Sequence, residues 1–459
     1  MTLAERLAGF AAGLTFADLP AAVVADAKLR VLDTLGVMLA GAGTGPGRAM
    51  FEAAQALGRG DEADIVGFGA RSSACLAALV NGTLAHAMDF DDTHNGSVMH
   101  PSAVSVAAAL ALAKDGPGLL LGVALGNELG CRLGLAAPGA FHAAGQHPTS
   151  VLGTPAAALV AGRLLGLSAA QMVWALGISA SQGSGVLEAY SDGTWSKTLH
   201  PGWAAHAGIV AAQLARAGFT GPATGLDGHY GLFASHVQAE GYRFDFETSV
   251  RGLGETWHCL ETAFKLYPNA HAIHVFIEMA LALRAAHGVA AADVASVMLH
   301  VPSWFEGQIA VPRDAKLVPR TSTHARHSVF YAVAAALVCG EVGMAQFTEA
   351  AVGQPEVLAL AQRVAHRVTA LEGTIRFSGA IDITCRDGRV LSMALDEAEG
   401  TGGRKLPVAR LEGKFRATAG SVLAEDQVER LIELCHGLEG VSDLAGLFGA
   451  RRGRRRASV

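Results

Sequence analysis

The segment Thr149-Ser-Val-Leu-Gly-Thr-Pro-Ala-Ala-Ala-Leu-Val-Ala-Gly-Arg-Leu-Leu165 reads as a helix built almost wholly from small and aliphatic residues. Ala is the best helix former, and at a helix contact its methyl group lets two backbones come close. Ser102–Lys114, Ala169–Ala180 and Trp203–Ala217 carry the same signature, with Gly or Pro between them. Pro20 stands where a first helical turn accepts proline, and apolar residues then recur at helical spacing from Val23 to Leu39. Gly contributes 56 of 459 residues, well above the usual ~7%. The first 250 residues or so therefore read as successive helices packed through small side chains, a mainly α fold.

The pattern changes after Tyr267. Val294–Val301 is β-branched and reads as a strand, Ala325–Val338 and Val357–Arg363 as helices, and Arg367–Leu371, Ile381–Cys385 and Val390–Ala394 as strands. Asp387-Gly388 between the last two is a hairpin signal. A helix returns from Ala424 to His436, opened near Ser421. The expected architecture is a large helical domain over 1–266, rejoined by 422–450, and a smaller α+β domain over 267–421. The end of the chain, 451–459, holds Arg451, Arg452, Arg454, Arg455 and Arg456 and reads as a basic, solvated tail.

Composition narrows the functional classes. Apolar residues make up 51% and charged residues 17%, the reverse of a disordered chain. A chain of this length buries roughly three quarters of its unfolded surface, so its core needs neither disulfide nor metal. The formal charge of −6 argues against a general nucleic-acid binder. The most apolar stretch, Leu119–Ala136, is interrupted by Glu128 and Arg132, so no membrane span is expected. The N-terminus, with Glu5 and Arg6 in an amphipathic pattern, does not resemble a secretory signal. Six scattered cysteines without a CxxC pair fit reduced thiols and a cytoplasmic location.

The densest polar cluster is Leu84-Ala-His-Ala-Met-Asp-Phe-Asp-Asp-Thr-His94, followed by Met99-His100-Pro101. A helix continued from Ser73 would put His86, Asp89 and Thr93 on one face. Polar groups on an apolar helix need partners, because burying them alone costs several kcal/mol each. Three readings remain open here: a His/Asp metal site, a metal-free acid–base site, and a capped helix end. His147, in Gln146-His-Pro-Thr-Ser150, precedes a helix whose dipole would lower its pKa and keep the ring basic, or the segment is a capping loop. Lys197 and His200 fall on a glycine-bounded stretch read as a loop, where a lysine binds an anion or is merely solvated. Lys265, His271 and His274 flank the domain junction, where pockets form, or a hinge. His327-Ser-Val-Phe-Tyr331 offers a further imidazole or phenol, or core residues.

Other chemistries lack their motifs. Gly43-Thr-Gly45-Pro-Gly47 follows no strand, so it is no dinucleotide fingerprint, and there is no phosphate loop, GxSxG elbow or HExxH helix. A set of His, Asp, Lys and Tyr without a nucleophile suits proton transfer on an anionic substrate.

His86-Ala-Met-Asp-Phe-Asp-Asp-Thr93 with His100-Pro-Ser-Ala103 resembles the signature of the MmgE/PrpD family. Gln146-His-Pro-Thr-Ser-Val-Leu-Gly153, Thr194-Trp-Ser-Lys-Thr-Leu-His-Pro-Gly202, Ala207–Gly221 and Lys265-Leu-Tyr-Pro268 are similar too, in the same order over roughly 3–440. The family includes 2-methylcitrate dehydratases, cis-aconitate decarboxylases and iminodisuccinate epimerases. The resemblance implies a helical domain with a smaller lid domain, a homodimer, no metal and no cofactor.

By motif, it also implies an active site containing Asp89, Thr93, His100, His147, Lys197 and Lys265, with Tyr331 as an acid. His100 and His147 would move the proton, Asp89 would orient a histidine and Tyr331 would protonate a leaving hydroxyl. Thr93, Lys197, Lys265, His271 and His274 would hold substrate. In the cis-aconitate decarboxylases a histidine follows the Lys-x-aromatic-Pro motif by two positions. Ala270 stands there in this chain, with His271 and His274 beyond it. That departure favours a 2-methylcitrate dehydratase-like lyase on a small di- or tricarboxylate. An epimerase or a cis-aconitate decarboxylase is the alternative within the family. A metal-dependent hydrolase using His86, Asp89, Asp91 and His94, or a non-catalytic carboxylate-binding dimer, is the alternative outside it.

Overall fold

In a computed structural model, residues 1–238, 242–369 and 377–448 are described. The Arg-rich tail and Leu371, read as a strand end, lie outside them. Helices dominate the first 250 residues, as their composition predicts, apart from a short antiparallel hairpin of Ala63–Ile65 with Ala70–Ser72 that sequence reading missed. The Ala169–Ala180 helix has the expected bounds, fixed by a Ser168/Gln171 capping box. Thr149–Leu165 is two helices, Pro148–Val151 and Gly153–Leu164, which meet at Leu152.

Two glycines set the closest approach in this core. A Cβ at Gly202 would lie 2.1 Å from the carbonyl oxygen of Leu79, and one at Gly82 would lie 2.6 Å from the Cα of Gly202. Only glycine lets the Ala74–His86 and Ser196–Arg216 helices touch backbone to backbone there. The C-terminal end of the first helix, His86, is thereby delivered to the N-terminal turn of the second, which holds Lys197.

After Tyr267 a four-stranded sheet forms, in the order Val364–Thr369, Val294–Pro302, Gly379–Cys385, Val390–Leu395. The first pair is parallel and the other two are antiparallel, with Leu299 opposite both His366 and Ile381. Val297, Leu299, Ile381 and Ile383 turn inward, following the period-two alternation of strands, and the His274–His287 helix packs on the Gly379–Cys385 and Val390–Leu395 strands. Asp387 and Gly388 form the expected hairpin turn, with Gly388 at φ +90°.

The buried apolar residues form two main cores. One runs from Leu3 to Cys259 and resumes at Phe415–Phe448, and the other spans Ala270–Ala398. The Val408–Ala419 helix, which sequence reading passed over, begins the return to the first core before residue 422 by packing on Ala21–Gly41. The Gly116–Leu135 helix is long and apolar enough to cross a membrane, but 89% of its apolar window is buried in the protein. Glu128 and Arg132 pair with each other inside it.

Candidate active site

The Ala74–His86 helix stops at His86 and does not continue through the polar cluster. Asp89 adopts the left-handed conformation, φ +51°, which Asp tolerates better than most residues and no helix accommodates. Residues 87–100 form a buried loop instead. Thr93 bridges Ala263 through two backbone hydrogen bonds of 2.9 and 2.8 Å, and Lys414 donates to the carbonyl of Phe90 at 2.8 Å. Asp92 anchors the loop from below by accepting from Arg30 Nη1 (3.2 Å) and Ser102 Oγ (2.5 Å). Burial raises the Asp92 carboxyl to about 6 against the pull of Arg30.

Freed from a helix, Asp89 becomes the hub of the site. Its Oδ2 accepts from Lys197 Nζ at 3.0 Å and lies 3.0 Å from His327 Nε2. Its Oδ1 accepts from Lys265 Nζ, which also donates to the Asp89 carbonyl at 2.9 Å. Burial alone would raise this carboxyl, but the two ammonium groups, with His327, hold it well below the usual carboxylate range. Lys197 thus sits in the first turn of the Ser196–Arg216 helix, not on a loop as expected, and its burial removes the solvated alternative.

Around this hub lies a small cavity of about 30 Å³, whose walls include Asp89, Thr93, His100, His147, Lys197 and His271. His100 Nδ1 is 2.7 Å from the carbonyl of Asp92 and 3.1 Å from Thr93 Oγ1. A carbonyl only accepts, so the proton resides on Nδ1 and Nε2 keeps the lone pair. His147 Nδ1 pairs with His200 Nδ1 at 2.9 Å. Burial pushes the pKa of His100 well down, against the pull of Asp91. Burial, then the charges of Lys197 and His200, pushes His147 down. The largest cause at His147 is desolvation. Both rings are neutral at pH 7 and available as bases. His271, lowered to about 3 by burial and Lys265, lines the cavity beside Ala270 and receives support at Nδ1 from Asn95 Oδ1, 3.0 Å away.

Four expected residues fall outside the cavity, the first being Lys265, which is fully buried behind Asp89 and does not line it. Tyr331 is buried, and its hydroxyl donates to the carbonyl of Gln346 at 2.7 Å, with that of Ala351 at 3.1 Å, so it is a core residue outside the cavity. His274 packs behind the wall, edge-on to Tyr267 and His271, with no hydrogen bond at either nitrogen among the described residues. His94 Nδ1 is 2.8 Å from Ser97 Oγ, so the His86–Asp89–Asp91–His94 foursome is not assembled. The groups that do converge, with candidate ligand atoms within 4.8 Å, are His86, His100 and His147, and His86, Asp89, Asp91 and His100. In these sets both nitrogens of His86 are engaged, by Asp91 and Lys197, and both Asp89 oxygens face ammonium groups.

Sequence reading missed Tyr190, whose phenol lines the cavity, accepts from Gln308 Nε2 at 2.8 Å and is raised by burial and by Asp89. It also missed His142, lowered to about 4 by burial and Lys197. Neither lies in a motif, and no local signal marks them. Of the imidazole and the phenol in the His327–Tyr331 stretch, it is the imidazole that reaches Asp89.

Two family models match successive parts of the chain. The family model of the MmgE/PrpD N-terminal domain matches residues 5–245, and that of the MmgE/PrpD C-terminal domain matches 267–439. The chain is 26% identical to a cis-aconitate decarboxylase of Aspergillus terreus, over 97% of this chain and 94% of that one. It is 28% identical to a cis-aconitate decarboxylase of Mus musculus, over 98% and 94%. It is 29% identical to one of Homo sapiens, over 98% and 95%.

Proposed function

The chain belongs to the MmgE/PrpD family, and from that premise we propose that it is a cofactor-independent lyase for a small di- or tricarboxylate. The observation that carries this reading is Asp89 buried between Lys197 and Lys265, on a cavity walled by neutral His100 and His147. Removing or adding a proton beside a carboxylate places negative charge on that carboxylate. Fixed ammonium groups stabilise such charge, and a neutral imidazole carries the proton. In this reading Lys197 meets the developing charge, Lys265 holds Asp89 from behind, and His100 or His147 moves the proton. Thr93 and His271 hold substrate. The two apolar cores act as a helical domain and a lid, in a cytoplasmic homodimer.

Decarboxylation of cis-aconitate is the first reaction to test, since the relatives named above carry that activity in their names. Dehydration of a hydroxy acid such as 2-methylcitrate is the second reading. Ala270 in place of a histidine and the proton-bearing phenol of Tyr190 favour it. The two are separated by proton NMR in D2O after exhaustive chelation, with each acid offered alone. We expect turnover to survive chelation. Carbon dioxide released from cis-aconitate identifies the first reaction, and loss of the 2-methylcitrate C2–H signal with conversion of its methyl doublet to an allylic singlet identifies the second. Loss of all turnover on chelation, restored by a divalent ion, would overturn the cofactor-independent reading.

A further inference from the structure

We propose that Lys414 is a positioning residue of the site, which holds the Asp89 turn in its working shape from behind and never meets substrate. The inference rests on the lyase reading, in which Asp89 is the hub, and deepens it. Asp89 stands at φ +51°, a conformation that needs support from outside its own turn. Two successive carbonyls supply the handles. That of Asp89 accepts from Lys265 Nζ at 2.9 Å, and that of Phe90 accepts from Lys414 Nζ at 2.8 Å. An ammonium only donates and a carbonyl only accepts, so both directions are fixed. Lys265 also reaches the Asp89 carboxylate, whereas the polar partners of Lys414 Nζ among the described residues are the Phe90 carbonyl and Asp33. Lys414 is buried and does not line the cavity. Its influence on Asp89 therefore passes through the backbone of the next residue.

The support is built on one helix face. Asp33, Val37 and Ala40 follow one another at helical spacing on the Ala21–Gly41 helix. Val37 and Ala40 pack with Phe90, and Asp33 Oδ1 accepts from Lys414 Nζ at 2.7 Å. Lys414 Nζ lies 4.1 Å from the centroid of the Phe90 ring, so one ammonium meets both the ring and the carbonyl of that residue. Gly36 lets the Val408–Ala419 helix come close enough for this contact. A Cβ there would lie 2.6 Å from Thr418 Oγ1 and 2.8 Å from Phe415 Cδ2. Asp33 and Lys414 are both buried, and each offsets the burial cost of the other's charge. Asp92 keeps Arg30 and Ser102, and Asp91 keeps His86, so removing the pair strands no other charge of the loop.

The test separates positioning from support of the fold. Lys414→Met alone leaves Asp33 buried without its counter-ion, so that variant loses stability in either case. Asp33→Leu combined with Lys414→Met replaces the pair by apolar side chains of similar volume, and its denaturation midpoint is expected near the parent's. Nothing then holds the Phe90 carbonyl. Amide hydrogen exchange, read by mass spectrometry, is expected to rise about tenfold in peptides covering 87–94 and to stay at parental rates elsewhere. In the same double variant kcat is expected to fall about 10²-fold, the cost of misplacing a reacting group by about 1 Å, with KM within about threefold of the parent. Parental exchange over 87–94, or parental kcat despite faster exchange there, would overturn the proposal. Exchange raised evenly along the whole chain would reduce Lys414 to a support of the fold and overturn it as well. Failure of every offered acid to react with the parent would overturn the lyase reading alone, because the exchange pattern needs no substrate and still decides whether Lys414 orders the turn.

Discussion

Two buried polar regions meet at Asp89, and they differ in how their charges are satisfied. In the 86–100 loop nearly every buried group has a partner: His86 has Asp91 and Lys197, Asp92 has Arg30 and Ser102, and His100 has the Asp92 carbonyl. Across the junction, in 316–327, the groups are as deeply buried but poorly paired. Among the described residues Lys316 Nζ, both nitrogens of His324 and Nε of Arg326 make no hydrogen bond. Burial lowers Lys316 to about 8 and Arg326 to about 10. The difference teaches that burial alone does not mark a reaction centre. The first region is held rigid by its own bonds, so its donors are aimed in advance. The second carries a desolvation cost that its own residues do not offset.

The largest effect comes from making the first region resemble the second. Asp89→Asn keeps a residue that tolerates the left-handed backbone but removes the charge shared by Lys197 and Lys265. Breaking a buried pair from one side costs about 3–5 kcal/mol. We expect kcat/KM to fall by about 10³-fold or more and denaturation midpoints to drop by that order of free energy. The pH dependence has a definite sign. Asp89 has a depressed folded pKa, so its contribution is present above the unfolded value of ~3.9 and is lost as pH falls below it. The variant therefore shows a shallower acid-side loss of stability. A parental acid limb in the variant would remove Asp89 from its place as hub.

A smaller, opposite effect comes from relieving the second region. Lys316 is fully buried in the Arg313–Leu317 helix, and its folded pKa of about 8 lies below that of an unfolded lysine. The unfolded chain binds the extra proton between those two values, so this group makes stability rise with pH from about 8 to about 10.4. The shift corresponds to about 3 kcal/mol of penalty at pH 7. Lys316→Met removes the charge at similar volume. It is expected to raise stability at pH 7 and to flatten the rise above pH 8, as read by urea denaturation across that range. Destabilisation at pH 7 would show that Lys316 has a partner and that the contrast between the two regions is smaller than drawn here.

Much of the fold was legible because it is written in local composition. Ser168 and Gln171 bracket a helix start, and Asp387-Gly388 brackets a turn. The Ser196–Arg216 helix was read as starting at Trp203, because Pro201 sits inside it and glycines flank the stretch. At the site, residue types were legible but their partners were not. Asp89, Lys197 and Lys265 stand out as charges in apolar surroundings. That one carboxylate serves both lysines depends on contacts across more than a hundred residues. Asp89 was assigned to a helix face because spacing alone cannot reveal a left-handed residue.

The smallest effect tests the residue that sequence and structure place differently. Tyr331 lies just beyond the poorly paired segment, yet it belongs with the satisfied groups, since its hydroxyl is spent on backbone carbonyls. Tyr331→Phe removes that donor and leaves two buried carbonyls with less to accept, a cost of about 1–3 kcal/mol. Turnover is expected to stay within about twofold, because the phenol does not reach the cavity. Tyr190→Phe is the matched control, as it removes a phenol that lines the cavity and holds Gln308. If a phenolic proton takes part in the reaction, this variant loses kcat while Tyr331→Phe does not. The reverse order, with activity lost at Tyr331 and kept at Tyr190, would mean that the second region turns its interior toward substrate, and the boundary between the two regions would have to be redrawn.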